Sequence, residues 1–458
     1  MNYLDELNED QLRAATHSEG YLRVIAGAGS GKTRMLVARY AYLVDAMGID
    51  PASILCVTFT NKAAAEMRSR IRALIGDGHD TSLISTYHGF CVRMLREDAD
   101  KIFYPTSFQI IDTAAQKDIL REIYDELELK LDFASFEKVL KAISDFKADE
   151  TYVSQMISRD ASAGPVDEGI LPEIIRRYLA RQKRLNLMDF EDLIHFGLYL
   201  LRTCPDVREK WQQRLNYVQV DEFQDSSARE MELVDILSGG YGNLMVVGDP
   251  DQNIYEWRGS DVSLLVDFDE THVPTETTTL ALNYRSTNAI LACANELIRH
   301  NKLRIEKDLR PANPGNVGSK PIHYHAKTEE AEATWIAERI HEGVQGGRAY
   351  SNYAVLYRAS HLSRMIENAL VEANIPYEVR GGVAFYRRME VLDAIAYLKL
   401  ITRKDDLAFK RIVNKPPRKM GRVRIAKLQE MAKPDEPLVD ALARCIDNKT
   451  FKGSGAAR

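Results

Sequence analysis

Only five cysteines occur in the 458 residues, Cys56, Cys91, Cys204, Cys293 and Cys445, widely scattered and with no Cys-x-x-Cys pair. An odd, dispersed set of this kind argues against a disulfide framework and against a zinc site built on cysteine. Long apolar runs are also missing, and none approaches the ~20 residues that a membrane-spanning helix requires. The opening Met1-Asn2-Tyr3-Leu4-Asp5-Glu6 is acidic and leads into no apolar stretch, so no secretory signal is expected and a cytoplasmic location is. Excess positive charge is absent too. The formal net charge is −6, which excludes a general polycation and confines any nucleic-acid contact to local patches. The best local patch is 410–427, where Lys410, Arg411, Lys415, Arg418, Lys419, Arg422, Arg424 and Lys427 occur without an acidic residue. A solvated helix face would carry the same charges.

What is present is the composition of a globular protein with real cores, 45% hydrophobic and 28% charged, long enough for two to four domains. One loop organises it. Ala26-Gly27-Ala28-Gly29-Ser30-Gly31-Lys32-Thr33 follows an apolar run, 21–25, and opens a periodic helix carrying Met35, Leu36, Ala38, Tyr42 and Leu43. Glycines allow successive backbone N–H groups to turn toward an anion, and a helix N-terminus adds partial positive charge. A lysine at position 32 reaches outer phosphates and a threonine hydroxyl at 33 can ligate Mg²⁺. The ligand expected is a nucleoside triphosphate. Ala26 stands where the general pattern has its first glycine.

Upstream, Asn8 and Gln11 have the spacing of a capping box. The amide of Gln11 could equally read an adenine edge, and spacing alone favours the cap. Downstream, strands alternate with helices: a strand at 54–59, a helix opened by Thr60-Asn61-Lys62, a short strand, and a helix opened by Ser85-Thr86-Tyr87-His88. This alternation predicts a parallel, doubly wound α/β sheet with its ligands at the C-terminal strand ends. Asn61-Lys62 does not make a guanine-reading element, because Ala64 stands where Asp is needed. From about residue 110 the pattern is helical (114–127, 136–146, 172–184 and 189–201), which predicts a helical insertion with a polar loop at 158–169.

Alternation resumes at 217–220, a strand running into Asp221-Glu222-Phe223-Gln224-Asp225. A carboxylate at a strand tip can hold Mg²⁺ and its neighbour can orient and deprotonate water, roles assigned to Asp221 and Glu222. The strand 244–247 leads to Gln252, just beyond its end and placed to sense a terminal phosphate. Tyr255 and Trp257 beside Arg258 alternate on a segment expected to be extended, either as a base-stacking platform or as core packing. A further strand ends near Asn283-Tyr284-Arg285-Ser286, followed by a helix at 287–299 and a Pro/Gly-rich stretch at 309–320. Strands at 321–324 and 353–358 with helices at 329–341 and 362–372 predict a second α/β domain facing the first.

Assembled, these residues resemble the UvrD/Rep/PcrA branch of superfamily 1 DNA helicases, from Asn8 to about Lys427. The resemblance is carried by Leu7-Asn8-x-x-Gln11, the loop from Ala26 to Thr33, Thr58-Phe59-Thr60-Asn61-Lys62-Ala63-Ala64, Asp221-Glu222-Phe223-Gln224-Asp225, Gly248-Asp249-x-x-Gln252-x-Ile254-Tyr255-x-Trp257-Arg258-Gly259 and Asn283-Tyr284-Arg285-Ser286. The family tolerates alanine where Ala26 stands. The resemblance implies two RecA-like domains, ATP with Mg²⁺, single-stranded DNA and duplex junctions as partners, and 3′ to 5′ movement in DNA repair or replication restart. It implies that Gln11 contacts adenine and Tyr284 stacks on it, that residues 26–33 with Arg34 hold the phosphates, and that Thr33 and Asp221 hold Mg²⁺. Gln252 and Arg285 would meet the γ-phosphate, Lys32, Asp221 and Glu222 act as above, and Phe59, His88, Tyr255, Trp257 and Arg258 would face DNA.

The implied layout is a first motor domain at 1–109 and 206–282, a helical insertion at 110–205, a second motor domain at 283–400 and the start of a second insertion at 401–458. Gly381-Gly382-x-x-Phe385-x-x-Arg388-x-Glu390-x-x-Asp393 and Asn414-x-Pro416 resemble the entry to that second insertion. A His-x-x-Lys-Gly-Leu-Glu-like motif and the final arginine-finger motif do not occur. The second motor domain is therefore expected to be incomplete, and the protein truncated at its C-terminus. The alternative is an ATP- and single-stranded-DNA-binding module without strand-separating activity.

Overall fold

The computed structural model describes residues 2–129, 134–149, 151–158, 163–380, 389–418, 420–434 and 436–448. Gly381, Gly382, Phe385 and Arg388, Lys419, the side chain of Arg422, part of the polar stretch 158–169 and the residues from 449 onward lie outside the described residues. Among the described residues ten strands are assigned: β1 (Tyr21–Ala26), β2 (Ile54–Val57), β3 (Ile84–Ser85), β4 (Gln109–Ile110), β5 (Leu187–Met188), β6 (Tyr217–Val220), β7 (Leu244–Gly248), β8 (Thr275–Leu280), β9 (Leu282–Asn283) and β10 (Arg310–Pro311).

Six of them form one parallel sheet in the order β3-β2-β6-β7-β1-β8. Tyr21 of β1 lies opposite Leu244 of β7 on one side and Thr275 of β8 on the other, and Ile54 of β2 is beside Tyr217 of β6. Every residue of β2, β6 and β7 is buried, the pattern of parallel strands covered on both faces. Leu22, Val24, Ile54 and Cys56 pack against Met35, Leu36 and Tyr40 of the helix Lys32–Asp45 and Met67 and Ile71 of the helix Asn61–Ile75. Because all six strands run the same way, the segments after β1, β2, β6 and β7 emerge at one edge. The glycine loop, Phe59, Asp221 and Asp249 therefore begin as neighbours.

The predicted helical stretch is present as the helices Thr113–Glu126, Phe136–Lys147, Tyr152–Ile157 and Ile170–Arg184, followed by Phe190–Thr203. Strands β4 and β5 pair with each other, Gln109 opposite Leu187, and so tie the start of the stretch to its end. Side-chain caps set the helix starts: Asp112 accepts from Ala115 N, Ser135 from Lys138 N, and Asp189 with Asp192 forms a capping box.

The compact units divide between Pro321 and Ile322. In the second, the helices Glu329–Gln345 and Ser363–Glu372 bury Ala337, Ile340 and Leu370 together. The helices Asp406–Ile412, Arg422–Met431 and Leu438–Asp447 enclose Phe409, Leu428, Ala441 and Cys445. The strands expected at 321–324 and 353–358 are not formed. Both segments run without assigned strand structure, and no strand is assigned among the described residues of this unit. Alternating side chains alone do not make a strand; its backbone groups need a paired neighbour.

Candidate functional site

The loop after β1 is held by its carbonyl side. Gly27 O accepts from Ser30 N (3.2 Å), Ala28 O from Asn283 Nδ2 (2.6 Å), Gly29 O from Tyr284 N (2.9 Å) and Ser30 O from Gln11 Nε2 (2.7 Å). Four successive acceptors are thus occupied by the protein. The helix Lys32–Asp45 starts at Gly31, which offers no side-chain cap, so the first-turn N–H groups of Lys32, Thr33 and Arg34 have no intrahelical acceptor. Gly29 and Gly31 take φ +68° and +79°, and a Cβ on Gly29 would meet Asn283 Nδ2 and Arg285 Cβ at 2.7 Å. Ser30 Oγ is buried without a partner.

Lys32 leaves this loop and reaches across to the end of β6. Its Nζ lies 2.5 Å from Glu222 Oε2 and 3.6 Å from Asp221 Oδ1. Burial alone would push the Lys32 ammonium down, but the two carboxylates outweigh it and hold the group above its ordinary range. Burial and the charge of Glu222 keep Asp221 above the usual carboxylate range against the pull of Lys32. Glu222, the more exposed of the two, is also penalised by burial, yet Lys32 and Gln224 bring it below that range. Its backbone is left-handed (φ 53°, ψ 41°), and its N–H donates to Asp221 Oδ1 (3.0 Å). A non-glycine residue held there carries local strain, which concentrates at functional sites.

Gln224 joins two strand ends. Its Nε2 donates to Glu222 Oε2 (2.8 Å), and its Oε1 accepts from Asp249 N (3.0 Å). Gln252 sits in the short turn Pro250–Gln252 after β7, exposed, with its Nε2 donating to Asp249 Oδ2 (2.6 Å). The Asn8–Gln11 capping box forms as the spacing predicts. Gln11 nonetheless keeps one donor and one acceptor capacity beyond its bonds to Ser30 and Asn8 N. Asn8 Nδ2 also donates to Tyr284 Oη (2.8 Å), so Gln11 and the half-exposed Tyr284 ring sit beside the loop together. Arg285 is exposed, with its Cβ close over Gly29. Arg34 is exposed at the first turn of the helix, while Ala26 is buried as the last residue of β1.

The aromatic residues gather on two spots. Phe59 stacks on Tyr255 (ring centroids 4.7 Å apart, 29° between planes), Trp257 lies 6.3 Å from Tyr255, and the Arg258 guanidinium covers both rings. The segment is not extended as expected. Glu256–Arg258 is a turn of 3₁₀ helix closed by Gly259 at φ 86°, because a residue that readily takes the left-handed region can end a turn where an L side chain resists. Trp257 is 67% exposed. His88 packs edge-on against the exposed Phe190 at 5.7 Å, and burial lowers its pKa.

Residues 410–427 are less open than their composition suggests. Arg411 and Lys415 both pair with Asp393 at 2.8 Å, and the Arg418 guanidinium donates to the carbonyls of Ile412 and Lys415 and to Tyr397 Oη. Arg411 and Lys415 are therefore committed to Asp393 on the helix Met389–Arg403, and Arg418 to the carbonyls that end the helix Asp406–Ile412. Phe190 and the clamping parts of Gln224 and Asn283 are not evident from the sequence alone. Both polar residues lie inside sequence motifs, but only the tertiary fold shows which backbone groups they meet.

Among the described residues no group of three His, Cys, Asp or Glu side chains is gathered to hold a metal ion. Thr33 follows Lys32 in the first turn of the helix, and Asp221 Oδ1 lies 3.6 Å from Lys32 Nζ. A glycine loop with its acceptors tied back, an uncapped helix start, and a lysine facing carboxylates from a nearby strand of a parallel sheet define the phosphate-loop class of α/β protein. Within that class, this chain belongs to the UvrD/REP helicase family. The sequence model of the UvrD/REP helicase N-terminal domain matches residues 7–273, and that of the UvrD-like helicase C-terminal domain matches residues 278–451.

The second match spans the region expected to hold an incomplete motor domain, so the expectation of incompleteness is not confirmed. The protein is 38% identical over 441 residues to the ATP-dependent DNA helicase PcrA of Staphylococcus epidermidis, covering 95% of its own length and 60% of that relative's. It is 40% identical over 429 residues to the PcrA of Leuconostoc citreum (93% and 57%) and 37% over 432 residues to that of Staphylococcus aureus (94% and 58%). It thus spans about 60% of the length of the curated relatives it matches. No helix among the described residues is long and apolar enough to cross a membrane.

Proposed function

We propose that this protein is an ATP-dependent DNA helicase and translocase that moves 3′ to 5′ on single-stranded DNA, in the cytoplasm, in repair or replication restart. The observation that carries the reading is Lys32 drawn between Glu222 and Asp221 beneath a loop whose carbonyls are all engaged elsewhere. An incoming triphosphate takes Lys32 from Glu222, and the first-turn N–H groups of the helix Lys32–Asp45 bind its oxygens. Freed of its cation, Glu222 becomes more basic and accepts a proton from the attacking water, with Gln252 and Arg285 at the terminal phosphate. Thr33 and Asp221 would hold Mg²⁺, which when bound would supply neutralisation of developing phosphate charge. Gln11 and Tyr284 read the adenine by edge and face.

The sheet is read as the RecA-like motor core, with domain boundaries near 109/110, 205/206 and 282/283. The start of the matched C-terminal domain at residue 278 supports the last of these. Phe59, Tyr255, Trp257 and Arg258, with His88 and Phe190, form the face for single strands, since stacking needs no particular base. Relatives named ATP-dependent DNA helicase support the activity.

The test is ATP turnover with and without oligo(dT), for the wild type and Glu222→Gln. Turnover is expected to rise with DNA and to fall about 10²–10⁴-fold in the variant, with nucleotide still bound. Stoichiometric ATP binding without turnover in the wild type favours the binding-module reading instead. Absence of nucleotide binding contradicts both.

A further inference from the structure

A buried ion cluster lies behind the Gln252 turn and ties Asp249 of the motif 248–259 to Lys307, which belongs to none of the motifs. Lys307 Nζ is 2.6 Å from Asp249 Oδ1 and 2.7 Å from Asp251 Oδ2, and all three side chains are at most 5% exposed. Arg304 approaches Asp251 Oδ2 at 3.4 Å and is anchored by the carbonyls of Ile298 and Lys307. Asn301 Nδ2 donates to Asp251 Oδ1 (3.2 Å). Two residues on, Leu309 is fixed by Asn295 through both its N–H and its carbonyl, and its side chain packs directly over Gly27 of the phosphate loop. The strap 304–309 thus touches the phosphate loop at one end and the Gln252 turn at the other.

The two oxygens of Asp249 divide the work. Oδ1 takes Lys307 and the N–H of Asp251, while Oδ2 takes Gln252 Nε2 (2.6 Å). An ionised carboxylate only accepts, so chemistry fixes the amide of Gln252 with its nitrogen toward Asp249 and its carbonyl oxygen away from it. That oxygen is the group able to accept a hydrogen from an attacking water. Without Lys307, Asp251 would keep Arg304 and Asn301, but the buried Asp249 would lose its ion-pair partner and with it the contact that sets its rotamer. Asp249 is also near enough for its charge to act on Lys32, so an unneutralised Asp249 would oppose the approach of a terminal phosphate.

We propose that Lys307 is a positioning residue for the γ-phosphate end of the site, acting through Asp249 to orient Gln252 and to cancel a carboxylate charge. The proposal rests on the nucleotide reading above. It is tested with the 458-residue protein by measuring ADP and ATPγS affinity with Mg²⁺, ATP kcat and KM, and melting temperature, for wild type, Lys307→Met, Lys307→Arg and Asp251→Asn. Lys307→Met should keep ADP affinity within about twofold while cutting both the preference for ATPγS over ADP and kcat about 10- to 100-fold, the scale seen when a group that orients a ligand is removed. Lys307→Arg should recover most of the loss, and Asp251→Asn, which leaves the Lys307–Asp249 pair, should stay near wild type.

Equal losses in Lys307→Met and Asp251→Asn, or loss of ADP affinity in step with melting temperature, would show a merely structural tie and overturn the proposal. If Lys307→Met does not fold, Lys307→Gln, which retains a donor without the charge, is held to the same expectation. Unchanged nucleotide preference and kcat in a folded variant defeat this proposal alone. A wild type that binds neither nucleotide defeats the reading beneath it.

Discussion

Lys147 lies 2.6 Å from Asp189 and 2.8 Å from Asp192, and Lys32 lies 2.5 Å from Glu222 and 3.6 Å from Asp221. Both are lysines between two carboxylates in the same unit, and their surroundings separate them. Around Lys147 every carboxylate oxygen is used: Gln116 and Asp192 N serve Asp189, while Tyr152, Gln182 and Asp189 N serve Asp192. The Lys147 side chain has no exposure. Around Lys32, Glu222 is 35% exposed, and Asp221 Oδ2 and Glu222 Oε1 accept from no group among the described residues. A satisfied, closed triad can only hold the fold together. An open one beside uncapped helix N–H groups has capacity left for a ligand.

The difference is sharpest in what removing a charge should do. Lys147→Met leaves two buried carboxylates unpaired and should cost about 3–5 kcal/mol of stability, measured by urea unfolding, while the folded fraction keeps its nucleotide affinity. Loss of nucleotide binding without loss of stability would erase the distinction between the two triads. The tryptophans extend the contrast. Trp211 is fully buried, with its Nε1 donating to Asp98 at 2.8 Å, whereas Trp257 is mostly exposed. Trp257→Ala should weaken oligo(dT) binding by about 1–3 kcal/mol and leave the melting temperature nearly unchanged; fluorescence titration at two salt concentrations checks this.

The smallest effect concerns pH. Burial and the charge of Glu222 raise Asp225 to about 6. Below the ordinary carboxylate range the group is protonated in both the folded and the unfolded state and costs nothing. Between about pH 4 and 6 the unfolded state ionises first, so this group's contribution to stability falls as pH rises and levels off above 6. Asp225→Asn should therefore stabilise the protein at pH 7 by about 1 kcal/mol after solvent screening is allowed for, with no gain at pH 4. Taking the difference between wild type and variant cancels the parallel contribution of Asp192, which is also raised to about 6. A gain that is the same at both pH values would contradict the assignment.

The sequence made local features legible. The strand–loop–helix at 21–45, the capping box at Asn8 and the apolar strands ending in Asp221 and Asp249 each follow from residues within a few positions of one another. What stayed hidden depended on partners distant in sequence. Asn283 reaches Ala28 and Lys307 reaches Asp249 only after the sheet has formed. Alternation at 353–358 suggested a strand, but pairing belongs to two segments and cannot be read from one. The turn at Tyr255–Trp257 was foreshadowed by Gly259, whose left-handed backbone closes it, yet the alternating aromatics masked that signal. The basic run at 410–427 shows the same limit in charge: Asp393, seventeen residues before its first lysine, takes two of its cations.

Everything in the proposed chemistry begins when a triphosphate takes Lys32 from its carboxylates. Calorimetric titration of ATPγS with Mg²⁺ into the wild type and Lys32→Ala measures this directly. One molecule bound per protein in the wild type, and no detectable binding in a variant that melts like it, is the result expected. Binding of equal strength in both would contradict the central claim.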